Sequence, residues 1–295
     1  MRYGLCLPNF TNLASPESID AAAALAERLG WDSVWTTDHV LVDKSERAEE
    51  YQTNFDVIQT LAWVAPRYPT IRLGTSVIVV PQRNAVVLAK ELASLDALSG
   101  GRVIAGVGVG WSEREFANLG MSHRFGVRGA YLEETIGLWR HLWSGSAEPF
   151  RGRFNELSDF VFRPVPAQGA DLPIWIGGRV DAALERTGRL ADGYQASASS
   201  PEAVATRIPV IRAAAEVAGR PMPTLSARVR VEFDEPVRSA ESRPYAMRGS
   251  AADVAEEIAK WSALGVELLA LHFDVATADQ MLADAERFDR EIAHG

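Results

Sequence analysis

Two adjacent side chains, Asp38 and His39, are of the types that acid–base chemistry requires. They follow the apolar run 33–36, and a carboxylate next to an imidazole can orient a ligand or exchange a proton with it. A capping aspartate and a histidine bonded within its own loop would give the same pattern, and the residues alone favour neither reading. The remaining histidines show no HExxH or comparable ligand spacing, so we expect no metal site.

Two consecutive glycines, Gly177 and Gly178, end a short apolar run and precede Arg179 and a helical pattern. Glycines allow backbone N–H groups to approach a ligand, and the N-terminus of a helix carries partial positive charge. Together with the Arg179 guanidinium they favour a phosphate site. A tight strand-to-helix turn would use the same residues.

Glycines also alternate in another apolar run, at Gly106, Gly108 and Gly110, and Gly74 interrupts a third run. The alternation only partly matches a dinucleotide-binding fingerprint, which belongs in the first βα turn and needs an acidic partner about 20 residues on. We interpret it as a surface of small residues on which a flat ring lies, and close packing inside a barrel is the alternative. Gly74 predicts a bulge, a close approach to a ligand or a barrel corner.

Eight short apolar runs, each followed by a helical pattern, are the elements that must position these residues. Buried parallel strands alternating with helices predict an α/β fold, and eight such units in one chain predict a (β/α)₈ TIM barrel. Segment 149–172 interrupts the alternation between strands four and five and is expected to be a hairpin or an ordered insertion. We expect a single domain over residues 1–295. The predicted strands are 3–7, 33–36, 71–79, 103–109, 174–176, 193–196, 225–233 and 267–273.

Composition excludes several classes of protein. The chain has 295 residues, and its 30 Lys+Arg against 39 Asp+Glu give a net charge of −9, which argues against nucleic acid as a partner. The one cysteine, Cys6, cannot form an internal disulfide. No apolar stretch approaches the ~20 residues of a membrane-spanning helix, and the first residues lack the apolar run of a leader. We therefore expect a cytoplasmic protein that contacts no membrane.

Several segments, taken in order, resemble the luciferase-like monooxygenase superfamily, and within it the branch that uses the deazaflavin coenzyme F420. The segments are GWDSVW (30–35) leading into Asp38 and His39, RLGTSV (72–77), AKELASLD (89–96), SGGR (99–102) leading into GVG (106–108), PIWIGG (173–178) and ADGY (191–194). They cover nearly the whole chain. The set is specific for the superfamily but less specific for F420 over FMN, because both rings use the same pocket.

The resemblance implies a flavin-like ring bound at the carboxyl-terminal mouth of the barrel. In this family an aspartate at the position of Asp38 contacts the ring, and some members use a histidine at the position of His39 as acid or base. The family also has a non-prolyl cis peptide, here between Ser76 and Val77, that supports the ring. The candidate cofactor contacts are therefore Asp38, Thr75, Ser76, Val77, Gly108, Gly110, Gly177, Gly178 and Arg179.

The predicted function is that of an oxidoreductase that transfers a hydride between F420 and a small organic substrate, with His39 and Asp38 as catalytic residues. Some sugar-phosphate dehydrogenases of the family carry a catalytic glutamate directly after the glycines of strand four. This chain has Trp111 there, and Glu113 is out of register. The substitution argues against that activity. Segment 149–172 is expected to shape the substrate pocket, as it often does in this family.

Two alternative functions stay open. One is an FMN-dependent monooxygenase that receives reduced flavin from a separate reductase, and the other is a non-catalytic flavin-binding protein. An aldolase-like barrel ranks lower, because it needs a lysine on a strand and the predicted strands carry almost none. We expect a homodimer, since two-fold dimers are the commonest oligomers.

Overall fold

Twelve strands are present in the computed structural model, which describes residues 1–42, 44, 53–234 and 245–294. In chain order they are β1 (Arg2–Cys6), β2 (Ser33–Thr36), β3 (Arg72–Thr75), β4 (Ile78–Val79), β5 (Val103–Gly108), β6 (Phe150–Arg151), β7 (Glu156–Leu157), β8 (Ile174–Gly177), β9 (Gly193–Ser197), β10 (Thr224–Phe233), β11 (Ala246–Gly249) and β12 (Leu268–Phe273). The parallel order β1-β2-β3-β5-β8-β9-β10-β12 returns to β1 and closes a barrel. The predicted (β/α)₈ TIM barrel is thus confirmed.

Helices cover the outside of this barrel. They are α1 (Pro16–Arg28), α2 (Val57–Val64), α3 (Ala85–Ser99), α4 (Glu113–Asn118), α5 (Ser122–Phe125), α6 (Arg128–Trp143), α7 (Asp181–Leu190), α8 (Pro201–Ala205), α9 (Ile208–Val217), α10 (Ala251–Ala263) and α11 (Ala278–Phe288). Their ends follow local signals. In α1, for example, Ser15 and Ser18 form a capping box around Pro16. None of the described helices is both long and apolar enough to cross a bilayer.

The third predicted strand, 71–79, is not continuous. Gly74 pairs with Ile104 in β5, whereas Ile78 pairs with Val107. Three residues, 75–77, therefore lie opposite two residues of β5, 105–106, which is a β-bulge. The bulge contains the Ser76-Val77 peptide, which is cis, as the resemblance implies.

The bulged segment packs against the alternating glycines of β5. A Cβ on Gly106 would lie 1.7 Å from the Thr75 carbonyl oxygen, and one on Gly108 would lie 2.6 Å from Val77 Cγ2. One on Gly110, just past β5, would lie 2.6 Å from Val79 Cγ1. The structure thus supports close packing as the reason for these three glycines, and not the interpretation that a flat ring lies on them.

Two tryptophans fill the barrel interior. Trp35 and Trp175 are buried with their ring centroids 5.4 Å apart. A Cβ on Gly74 would lie 2.3 Å from Trp35, and one on Gly193 would lie 2.4 Å from Trp175. Gly74 therefore makes room for an indole ring inside the barrel, and not for a ligand. Cys6 lies in the same buried cluster, as a small apolar side chain.

Two further segments depart from a simple alternation of strand and helix. Residues 201–218 form two helices, α8 and α9, because Pro209 in the first turn of α9 cannot donate the hydrogen bond that would continue α8. The loop after β10 contains a strand, β11, which pairs in parallel with the carboxyl half of β10. Residues 235–244 of that loop lie outside the described residues.

Segment 149–172 is an ordered insertion, as predicted, and contains the antiparallel hairpin β6–β7. The Glu134 carboxylate of α6 accepts backbone hydrogen bonds from Arg153, Phe154 and Asn155. At the other end, the Gln168 side chain donates to Asp96 at 2.7 Å. These contacts hold the segment against the outer helices.

Candidate active site

A cavity of about 620 Å³ lies at the carboxyl ends of the barrel strands, where TIM barrels carry their active sites. Of the predicted site residues, those that line it are Asp38, His39, Ser76, Val77, Gly108, Gly110, Gly177, Gly178 and Arg179. Thr75 does not reach it: the side chain is fully buried and its hydroxyl donates to the Gly106 carbonyl at 2.7 Å. No described residue of 149–172 lines this cavity, so the expectation that the segment shapes the pocket is wrong for the described residues.

Both carboxylate oxygens of Asp38 are engaged by the protein. Oδ1 lies 2.5 Å from Arg83 Nη2, and Oδ2 accepts a hydrogen bond from the Val79 N–H at 2.9 Å. Burial raises the pKa of Asp38, and the Arg83 guanidinium and the Val79 N–H oppose that rise. Asp38 therefore ties the end of β2 to β4 beside the cavity. This geometry favours a supporting role over the proton transfer that the sequence allowed.

His39 is paired with a carboxylate. Its Nδ1 lies 3.1 Å from Glu115 Oε2, and both side chains are almost fully buried. The other oxygen of Glu115 accepts backbone hydrogen bonds from Val40 at 2.7 Å and Leu41 at 3.1 Å. Burial raises the pKa of Glu115, but the hydrogen bond and charge of His39 and the Val40 N–H outweigh burial, so the pKa is lower than usual. Glu115 thus fixes both the imidazole and the loop that carries it.

Sequence reasoning missed Glu115. It lies in α4, where the Ser112 hydroxyl caps the helix by accepting the Glu115 N–H at 3.3 Å, and the next residue, Phe116, packs on Gly110. Glu115 and Phe116 are adjacent and buried in a short helix. Nothing in this pattern identifies His39 as the partner of Glu115. Trp111, 48% exposed, places its ring 5.9 Å from that of His39.

The turn between β8 and α7 fits both interpretations of its glycines, a tight turn and a phosphate site. A Cβ on Gly178 would lie 2.5 Å from Ala183 Cβ, so a tight turn requires glycine there. The helix begins after Val180, and no described side chain caps it. The N–H groups of Asp181 and Ala182 are therefore available to an anion beside the exposed Arg179, whereas the Ala183 N–H donates to the Val180 carbonyl at 2.8 Å.

Two arginines and a histidine are among the other lining residues. Arg228 and Arg230 extend from β10 into the cavity, and His272 extends from β12. Burial lowers the pKa of His272 well below its ordinary value, and the charges of Arg228 and Arg230 lower it further. The described residues contain no group of three or more His, Cys, Asp or Glu side chains placed to hold a metal ion.

The lowered pKa of His272 predicts a pH-dependent stability. Below about pH 6.5 the unfolded chain binds a proton at His272 that the folded protein does not, so the free energy of unfolding falls by up to about 1.4 kcal/mol per pH unit from this group. We expect His272→Phe to remove this part of the decrease in urea unfolding between pH 7.5 and 5.5. His123→Gln, at an exposed histidine outside the cavity, is the control. An unchanged pH dependence in His272→Phe would contradict the prediction.

Comparison with known proteins identifies the family. The model of the family described as luciferase-like monooxygenase matches residues 1–292. The chain belongs to the luciferase-like monooxygenase family. The resemblance inferred from the sequence is therefore confirmed over almost the full chain.

Two curated relatives of the chain are named as oxidoreductases, and the name of one specifies F420. One, F420-dependent glucose-6-phosphate dehydrogenase of Amycolatopsis mediterranei, is 32% identical over 225 residues, 74% of this chain and 65% of the relative. The other, 5,10-methylenetetrahydromethanopterin reductase of Methanolobus tindarius, is 32% identical over 198 residues, 67% of this chain and 55% of the relative. The chain thus spans less than two thirds of the length of either.

A solved structure shows the same fold over the whole chain. It is an F420-dependent secondary alcohol dehydrogenase in complex with an F420-acetone adduct. The two structures align with a TM-score of 0.85 over 99% of this chain and 98% of the other, at 17% sequence identity. At that identity the likeness establishes the luciferase-like barrel alone.

Proposed function

We propose that this luciferase-like protein is an oxidoreductase that works with coenzyme F420 and a small organic substrate. The observation that carries the proposal is the cavity at the carboxyl ends of the strands, which combines an uncapped helix N-terminus with a cationic lining. A negatively charged deazaflavin cofactor requires both features, because the chain as a whole carries a charge of −9. The name of the Amycolatopsis mediterranei relative supports the choice of F420.

The residues present fit such a cofactor. Val77 packs against Gly108 and Gly177 and makes an apolar wall for a flat ring. Gly178, Arg179 and the first turn of α7 would hold the phosphate. Bound there, F420 would supply a ring that accepts or donates a hydride.

The remaining chemistry belongs to His39. A hydride transfer that makes or consumes a carbonyl group also needs a proton at the substrate oxygen. With Glu115 accepting a hydrogen bond from Nδ1, the neutral imidazole carries its basic lone pair on Nε2. Glu115 thus positions His39 as the histidine of a triad is positioned by its carboxylate. Because Trp111 replaces the glutamate of the sugar-phosphate dehydrogenases, the proposal does not extend to their substrate.

Titration of the purified protein with F420 and FMN, each oxidised and reduced and followed by fluorescence, tests the proposal. We expect F420 to bind at least tenfold more tightly than FMN in both redox states. Binding of FMN alone, with consumption of dioxygen in the presence of FMNH₂, would favour the monooxygenase alternative. Tight binding of either cofactor without turnover on a broad panel of alcohols and carbonyls would favour a non-catalytic protein.

Arg179→Ala is expected to weaken F420 binding two- to fivefold at low salt. The exposed guanidinium contributes a screened charge of about 0.5–1 kcal/mol, which decreases as ionic strength rises. The measurement is the F420 dissociation constant at low and high NaCl, about 20 mM and about 500 mM, between which the Debye length falls roughly fivefold. Arg212→Ala, in the exposed face of α9, controls for net charge. Equal affinities for Arg179→Ala and the wild type at low salt would place the phosphate elsewhere.

We further propose a single domain over residues 1–295 and a homodimer in the cytoplasm. Pairing of β1 with β12 joins the two ends of the described chain in one barrel, which supports a single domain. Light scattering tests the dimer, and cell fractionation tests the location. Co-purification tests whether a flavin or F420 reductase supplies the reduced cofactor.

A further inference from the structure

Arg228 spans the interior of the barrel. It lies in β10, and three barrel strands separate β10 from β3 on either side. Even so, its Nη1 donates to the carbonyl oxygen of Ser76, at the bulge that follows β3, over 3.3 Å. The guanidinium therefore crosses the cavity, where a ligand that enters from the mouth would meet it.

In the described part of the chain, no carboxylate pairs with this guanidinium. Its other contacts are the face of Phe10, with the ring centroid 5.2 Å from Cζ, and the Cys6 thiol. A carbonyl, an aromatic face and a thiol are electrically neutral partners. Charges inside proteins are normally paired, and among the described residues Arg228 has no anionic partner.

The described charged groups near Arg228 are themselves paired or uncharged and do not neutralise it. Arg230, two residues along β10, also lines the cavity and forms an ion pair with Asp274 at 3.4 Å. His272 lies opposite Arg230 in the register of β10 and β12. Its lowered pKa keeps it uncharged at neutral pH. Asp38, which also lines the cavity, is already neutralised by Arg83.

We propose that the cavity binds a substrate that carries an oxyanion, a carboxylate or a phosphate ester, and that Arg228 pairs with that group. A guanidinium offers two parallel N–H donors that match the two oxygens of such an anion. The inference rests on the proposed function, since it treats the oxyanion as part of the substrate that F420 oxidises or reduces. It assigns the anion of the cofactor to the turn after β8 and the anion of the substrate to β10.

Pairs of probes that share a phenyl ring and differ in charge test this assignment. Benzoate is compared with benzamide, and phenyl phosphate with phenol, by calorimetric titration of the full chain with and without saturating F420. We expect the anionic member of at least one pair to bind at least tenfold more tightly than its neutral partner when F420 is present. That preference should decrease at 500 mM NaCl. A preference in the first pair alone indicates a carboxylate substrate, and one in the second pair alone indicates a phosphate ester.

Three variants complete the test. Arg228→Gln should abolish the preference for the anion, Arg228→Lys should retain part of it, and Arg212→Gln, an equal loss of charge on α9, should leave it unchanged. If Arg228→Gln does not fold, the comparison of Arg228→Lys with the wild type decides, because a lysine keeps the charge but loses the paired donors.

Several results would overturn the proposal. Equal affinities within both pairs would do so, as would an unchanged preference in Arg228→Gln. Displacement of F420 by the anionic probes would assign Arg228 to the cofactor. Failure of F420 to bind in the absence of probes is a separate result, which overturns the proposed function itself.

Discussion

Gly106→Ala is expected to yield no folded protein. The added Cβ would lie 1.7 Å from the carbonyl oxygen of Thr75 and 2.9 Å from its carbonyl carbon. Both are backbone atoms, so no side-chain rotation relieves the overlap, and β5 would have to separate from the segment that follows β3. The cost should exceed the roughly 1–3 kcal/mol of ordinary overpacking and approach the whole stability of a domain, about 5–15 kcal/mol. Soluble yield and urea unfolding measure it.

Two other glycines supply graded controls. Gly108→Ala meets one methyl group of Val77, at 2.6 Å, which is part of a side chain and can shift. We expect a folded but less stable protein. Gly137 lies in α6, where an added Cβ would meet nothing within 4 Å, and Gly137→Ala should stabilise the helix by up to about 1 kcal/mol. A Gly106→Ala protein as stable as Gly137→Ala would contradict the close approach of β5 to Thr75.

The architecture could be predicted because it depends on local patterns. Each apolar run is followed by a helix, and several of these helices begin at a capping side chain, such as Ser15 before α1 and Asn84 before α3. Repeated eight times, that alternation is sufficient for a parallel barrel. The division of the third strand is different in kind. Residues 71–79 are apolar over most of their length, so their hydrophobic pattern does not divide them. Gly74 indicated a bulge as one of three interpretations, and only the family resemblance implied an irregular backbone at Ser76 and Val77.

The roles of the glycines could not be read from the sequence. A glycine predicts that something lies close to its backbone, but it does not predict what. At Gly106 the neighbour is the backbone of Thr75, at Gly74 it is the Trp35 ring, and at Gly178 it is Ala183 in the first turn of α7. Each of these neighbours is set by the tertiary fold. A glycine that makes room for a ligand ring and a glycine that makes room for a packing contact therefore look the same in the sequence.

The partner of His39 could not be predicted from the sequence either. Glu115 follows His39 by 76 residues, in a helix of six residues. Its orientation depends on Ser112 at the helix start and on the packing of Phe116 below Gly110. The sequence therefore indicated a histidine at the end of β2 but not the carboxylate that holds it.

His39→Ala is expected to lower turnover by a factor of about 10²–10⁴, the usual contribution of a positioned acid or base. F420 affinity should change less than about threefold, since the phosphate donors of the β8–α7 turn stay in place. The two quantities are measured as the rate of F420 absorbance change with a substrate accepted by the wild type, and as the F420 dissociation constant. His123→Ala, outside the cavity, should leave both unchanged. Equal losses in turnover and affinity would make His39 a cofactor contact instead.

Glu115→Gln keeps His39 in the protein but removes the carboxylate that positions it. The amide oxygen can still accept from His39 Nδ1, but the NH₂ group cannot accept the Val40 and Leu41 N–H groups that the carboxylate holds. The negative charge beside the imidazole is also lost. Turnover should therefore fall about 10- to 100-fold, less than in His39→Ala, and the pH profile of turnover should shift. In the double variant Glu115→Gln/His39→Ala the loss should equal that of His39→Ala alone, because Glu115 acts through the imidazole. Additive losses would show that Glu115 reaches the reaction by another route.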